Sequence, residues 1–203
     1  YFATIYAWWR YWQRRQFWWW LLAAIFLGLA VATKLTAILL LPVMLLLAIL
    51  YIGRVRDVWR PFLAWLGLLP LALLVLWLVY GLEVGTFGNW PVTLPMPSYV
   101  TSWQTVLGHM EGGHKSFFWG DLAKEGRLIY FPVTFLIKTP LMTLLLLFIA
   151  LVVVIRRRDL WRTTVFLLMP VGALFAAAIV SNLNIGYRHI LPALPFLLVF
   201  GST

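Results

Sequence analysis

The chain has 203 residues, 64% of them hydrophobic and only 11% charged, with a net charge of +10 and a mean hydropathy of +0.93. A soluble domain carries roughly twice that charged fraction, so the composition excludes a water-soluble globular enzyme. The absence of cysteine excludes a disulfide framework, a thiolate metal site and a cysteine nucleophile. Nucleic acid does not explain the positive charge, because the basic residues cluster beside apolar runs, as they do beside membrane spans.

Tyr1 to Trp9 reads as the end of an apolar element, followed by Arg10, Arg14 and Arg15. The apolar run Phe17–Ile52 would be about 54 Å long as one helix, against a hydrocarbon core of about 30 Å. Thr33-Lys34 interrupts it, so two short spans are expected, 17–32 and 35–52. Arg54, Arg56 and Arg60 lead into a third span, 61–80, with Pro61 suited to a first helical turn. Residues 81–127 form the one long polar segment. Its start is rich in Gly and Pro and reads as irregular. From Ser98, a plausible N-cap, to Met110, apolar residues recur at helical spacing, which predicts an amphipathic helix on the membrane surface. A fourth span, 128–155, carries Pro132 and Pro140 as expected kinks. Arg156, Arg157 and Arg158 precede a fifth span, 163–180, and the turn Asn182–His189 leads into a sixth, 190–203.

The fold expected is therefore all-α: a polytopic membrane helix bundle of about six spans in a single transmembrane region, 1–203. Its one long outer loop carries the interfacial helix. With alternating spans, one side collects ten arginines against two acidic residues, a net of +8. The other collects six basic against four acidic residues, a net of +2. The positive-inside rule makes the arginine side cytoplasmic. The outer face then receives Lys34, the long loop, the Arg188-His189 turn and all three histidines. Thirteen tryptophans, among them Trp8, Trp9, Trp12, Trp18–Trp20, Trp59 and Trp161, fit interfacial belts at span ends. Tyr1 is not a Met and Thr203 falls inside an apolar run, so the chain is expected to be part of a longer protein.

Several residues carry chemistry. Lys138 lies ten residues into the fourth span, where a charge calls for a function. Lys34 suits either a snorkelling helix end or an anionic headgroup. Arg188, beside Tyr187 and His189, offers bidentate phosphate or carboxylate binding. His109-x-Glu111-x-x-His114 brings three possible ligands together, but neither its spacing nor its two glycines suit a helical metal site. The plainest reading is a flexible polar loop; substrate contact through His114 or Glu111 ranks above a divalent metal. No cofactor is expected. Histidines in loops and at span ends argue against a tetrapyrrole site, and no inverted repeat suggests a transporter.

Three segments together, GLAVATKLTAILLLP (28–42), GGHKSFFWGDLAKEGRLIYFPVTFLIKTP (112–140) and NIGYRHILPALPF (184–196), resemble the C-type superfamily of polyprenyl-phosphate-dependent glycosyltransferases, close to the protein O-mannosyltransferase-like group. The resemblance implies a bacterial plasma-membrane enzyme that transfers a sugar from a lipid-phosphate donor to an acceptor at the outer face. It makes Lys34, Lys138 and Arg188 candidates for the donor phosphate, and His114 or His189 candidates for donor or acceptor contacts. The family's acidic residue belongs to a first outer loop that would precede Tyr1. Glu83, Glu111, Asp121 and Glu125 do not match that motif, so no catalytic residue is assigned. The alternative is a non-catalytic accessory subunit of a larger membrane complex. Expected partners are membrane lipid, the lipid-phosphate donor and other membrane subunits, with no nucleic acid.

Overall fold

The computed structural model describes residues 1–52, 59–87, 93–112, 116–118, 120–123, 127–180 and 186–202. These are mostly helical and divide into two compact units, Tyr1–Leu107 and Gly108–Thr203.

The first unit contains α1 (Phe2–Arg14), α2 (Phe17–Thr33), α3 (Leu40–Ile52), α4 (Trp59–Val79) and most of a fifth helix described below. The apolar run breaks at Lys34, as its Thr-Lys pair suggests. The Thr33 hydroxyl donates back to the Ala30 carbonyl at 2.9 Å, and Lys34 turns extended (φ −153°, ψ 121°) before a 3₁₀ turn over Leu35–Leu39. Back-bonding of this kind gives the chain an alternative to continuing the helix. Pro42 and Pro61 each occupy a first turn, where a missing N–H breaks no helical bond.

Helices α2 and α4 run parallel. The Trp20 indole donates to the Ala64 carbonyl at 2.8 Å, and Gly28 meets Ala72 at the same offset of 44 positions. A Cβ on Gly28 would lie 2.5 Å from the Ala72 carbonyl oxygen, so glycine alone permits this approach. Helix α1 buries Thr4, Ile5, Ala7, Trp8 and Trp12. Trp8 is fully buried and its indole donates to the Met44 carbonyl on α3 at 2.8 Å. Trp8 and Trp12 are thus core residues rather than belt anchors. Among the described residues, the exposed tryptophans are Trp18, Trp59 and Trp161.

The segment expected to be irregular after Tyr80 contains an antiparallel pair, β1 (Val84–Thr86) with β2 (Thr93–Pro95). It leads into α5 (Pro97–Gly112). Ser98 lies inside α5 rather than at its cap. Its N–H and hydroxyl both donate to the Glu83 carboxylate, at 3.3 and 2.7 Å, so a carboxylate fifteen residues upstream closes the helix start.

The second unit begins with a second antiparallel pair, β3 (Ser116–Phe118) with β4 (Asp121–Ala123). It continues with α6 (Tyr130–Lys138), α7 (Leu141–Arg156), α8 (Trp161–Val180) and α9 (Leu194–Gly201). The run 128–155 is bent sharply at Thr139-Pro140, where α6 and α7 meet at 112°. Thr139 precedes a proline and is forced extended (φ −90°, ψ 131°), which ends α6. Pro140 heads α7, while Pro132 sits harmlessly in the first turn of α6. Phe131, Ala178 and Ile190 form one core cluster, and Ala150, Val154 and Phe200 another, where α9 packs against α7 and α8.

Among the described residues, two helices are long and apolar enough to cross a membrane, Trp59–Val79 and Arg158–Val180. A third is added if the bent α6–α7 pair counts as one span. The segments Phe17–Thr33, Leu35–Tyr51 and Leu191–Gly201 are apolar but shorter.

Candidate functional site

In the second unit, two segments far apart in sequence converge. The Thr139 hydroxyl is buried and lies 3.1 Å from the Tyr187 hydroxyl, 48 residues later. Tyr187 also stacks on Phe135, with centroids 6.4 Å apart and planes at 12°, and Phe135 meets Phe175 edge-on. Gly186 permits the entry to this turn by adopting φ +97°, a conformation that side chains rarely adopt. A hydroxyl buried among these rings needs a partner, and Thr139 and Tyr187 supply one another.

Residues 187–189 form a single 3₁₀ turn. Successive side chains in such a turn diverge by about 120°. Accordingly Tyr187 enters the core, Arg188 is exposed, and the His189 ring lies 6.2 Å from Phe131. The buried Ile190 then anchors the turn in the Phe131–Ala178 cluster. Lys138 is the last residue of α6 and is exposed, directly before Thr139. It is therefore not held midway along a straight span. A cation at a helix C-terminus is favoured by the helix dipole. The Thr139–Tyr187 contact thus sets the end of α6, which carries Lys138, against the turn that carries Arg188 and His189. Sequence reasoning passed over Thr139 and Phe135 as positioning residues, although both lie in the stretch 112–140 that carries the family resemblance.

Lys34 belongs to the first unit, at the extended break after α2. On either side of that break, Val31 and Ile38 line an apolar cleft of about 160 Å³. Leu27, Gly28, Ala72 and Leu76 line it too, together with Tyr99 and Trp103 of α5. Burial pushes the Tyr99 phenol above its ordinary value of 10.0; a hydrogen bond with the Trp103 side chain acts in the opposite direction. The walls of the cleft offer dispersion contacts and few polar groups, so it suits an apolar group.

His114 lies outside the described residues, as do the side chains of His109 and Glu111. Among the described residues, no group of three or more His, Cys, Asp or Glu side chains could hold a metal ion. No protein-family model, no curated protein and no solved structure matches this chain.

Proposed function

We propose that this chain forms part of a multi-pass membrane glycosyltransferase that takes a sugar from a polyprenyl-phosphate donor. The observation that carries the reading is the convergence of the Lys138-Thr139-Pro140 and Gly186–His189 segments through the Thr139–Tyr187 hydroxyl contact. It sets the helix end that carries a lysine against a turn that carries an arginine and a histidine. Lys138 and Arg188 bind the donor phosphate, Arg188 through its planar fork. His189, braced against Phe131, contacts the sugar or the acceptor, and His114 joins it. Lys34 meets an anionic headgroup while the adjacent cleft takes apolar chain. In this reading six spans, some shorter than a full bilayer crossing, put these groups on the outer face of a bacterial plasma membrane. The arginine clusters face the cytoplasm, and α5 lies on the membrane surface.

The test is polyprenyl-phosphate binding by the purified full-length gene product in detergent. Lys138→Ala and Arg188→Ala should each weaken binding about tenfold or more, the cost of losing a charge-assisted contact. Unchanged affinity in both variants removes the phosphate site. Transfer of radiolabelled sugar from a polyprenyl-phosphate donor then separates enzyme from accessory subunit, since an accessory subunit binds without transfer.

A further inference from the structure

The elbow between α1 and α2 is a separate feature that the glycosyl-transfer reading leaves unused. We infer that it is a headgroup site for an anionic phospholipid.

The sequence supplies an unbalanced charge. Residues 1–56 contain six basic residues and no acidic one; the first carboxylate in the chain is Asp57. Arg10, Arg14 and Arg15 stand within six positions at the end of α1, so local carboxylates cannot neutralise them. Glu83, the other acidic residue of this unit, is engaged by Ser98.

The structure holds these cations in place. The Arg15 guanidinium lies 4.3 Å from the centroid of the Trp12 ring, and Trp12 is only 2% exposed, so its platform is rigid. The Arg10 guanidinium sits 5.4 Å from the Trp19 centroid and 6.0 Å from that of Tyr6. One arm of Arg10 donates to the Gln13 side chain at 3.4 Å. Its Nε is buried with no hydrogen-bond partner among the described residues. Arg14 and Arg15 themselves are exposed. Helix α2 starts here with no side-chain cap, which adds the partial positive charge of its first amides.

The apolar rim selects the ligand class. Phe17 is 64% and Trp18 71% exposed, directly after the arginines. A soluble polyanion gains nothing from them. A phospholipid places its phosphate against the guanidinium groups and its glycerol and upper acyl region against the two rings. Flat guanidinium forks backed by indoles match phosphate oxygens better than ammonium groups do.

The experiment uses the full-length protein in mixed micelles of phosphatidylglycerol and phosphatidylcholine, with retained phospholipid quantified by mass spectrometry. Phosphatidylglycerol should be enriched. The double variant Arg14→Gln/Arg15→Gln should lose that enrichment by about fivefold for each arginine, with helical content unchanged because both side chains are exposed. Trp18→Ala, also at an exposed position, should reduce retention without altering the melting temperature. A matched pair in the other unit, Arg157→Gln/Arg158→Gln, should leave most of the enrichment intact. The inference is overturned if the elbow variant keeps wild-type enrichment, or if the matched pair loses as much, which would mean that bulk charge alone is at work. It is also overturned if millimolar inorganic phosphate displaces the lipid completely, which would assign the site to a soluble anion.

Discussion

Replacing Gly28 with alanine tests the central packing of the first unit. A Cβ there would lie 2.5 Å from the Ala72 carbonyl oxygen and 2.7 and 2.9 Å from two carbons of Val75, where ordinary contact begins near 3.4 Å. The nearest obstacle is backbone, which cannot rotate away, so α2 and α4 must part by nearly 1 Å. Overpacking of this size costs about 1–3 kcal/mol. The higher helix propensity of alanine returns about 1 kcal/mol, leaving a net loss of up to about 2 kcal/mol. Parting the helices also strains the Trp20–Ala64 hydrogen bond two turns away. Gly172 supplies the internal standard: it sits in α8, and a Cβ there meets nothing within 4 Å. Gly172→Ala should therefore be neutral or stabilising by up to about 1 kcal/mol. The assay is unfolding in detergent micelles followed by circular dichroism. A Gly28→Ala protein no less stable than the Gly172→Ala protein would refute the close approach of α2 and α4.

Other expected outcomes are equally specific. Trp8→Phe removes a buried indole that donates to the Met44 carbonyl and should cost about 1–3 kcal/mol in the same assay; Trp18→Phe, at an exposed position, should stay within about 0.5 kcal/mol. A double-mutant cycle of Thr139→Val and Tyr187→Phe should give a coupling energy of about 1 kcal/mol, and a value near zero would dissolve the contact that joins the two halves of the site. Tyr99 gives a pH dependence. Its folded-state pKa is raised above 10.0 by burial, so both states keep the proton below that value. As pH climbs past it the unfolded phenol ionises first, and the stabilising difference is lost up to the folded pKa. Stability measured across that alkaline range should fall, and Tyr99→Phe should fall less.

Much of the architecture was legible in the residues. Thr33-Lys34 broke the long apolar run where the sequence said it should, because a hydroxyl that back-bonds and a lysine both oppose a continuous buried helix. Pro61 marked a first turn for an equally local reason. Local reasoning failed where a partner distant in sequence decides the outcome. Ser98 looked like a cap, but Glu83 supplies the carboxylate that closes α5. Trp8 and Trp12 looked like belt residues, but α1 turns one face onto α2 and α3 and buries them. Lys138 looked intramembrane because 128–155 reads as one span, and a 112° bend at Thr139-Pro140 moves it to a helix end.

By itself, the sequence determined a helical, membrane-compatible chain, its principal breaks and the uneven distribution of its charge. These follow from hydropathy, proline and the cost of placing charge in an apolar run, all of which act over a few neighbouring residues. The tertiary structure decided which polar groups meet. The Thr139–Tyr187 pair, the Gly28–Ala72 crossing and the Arg10 guanidinium over Trp19 depend on how helices pack, and close packing couples residues that no local pattern joins.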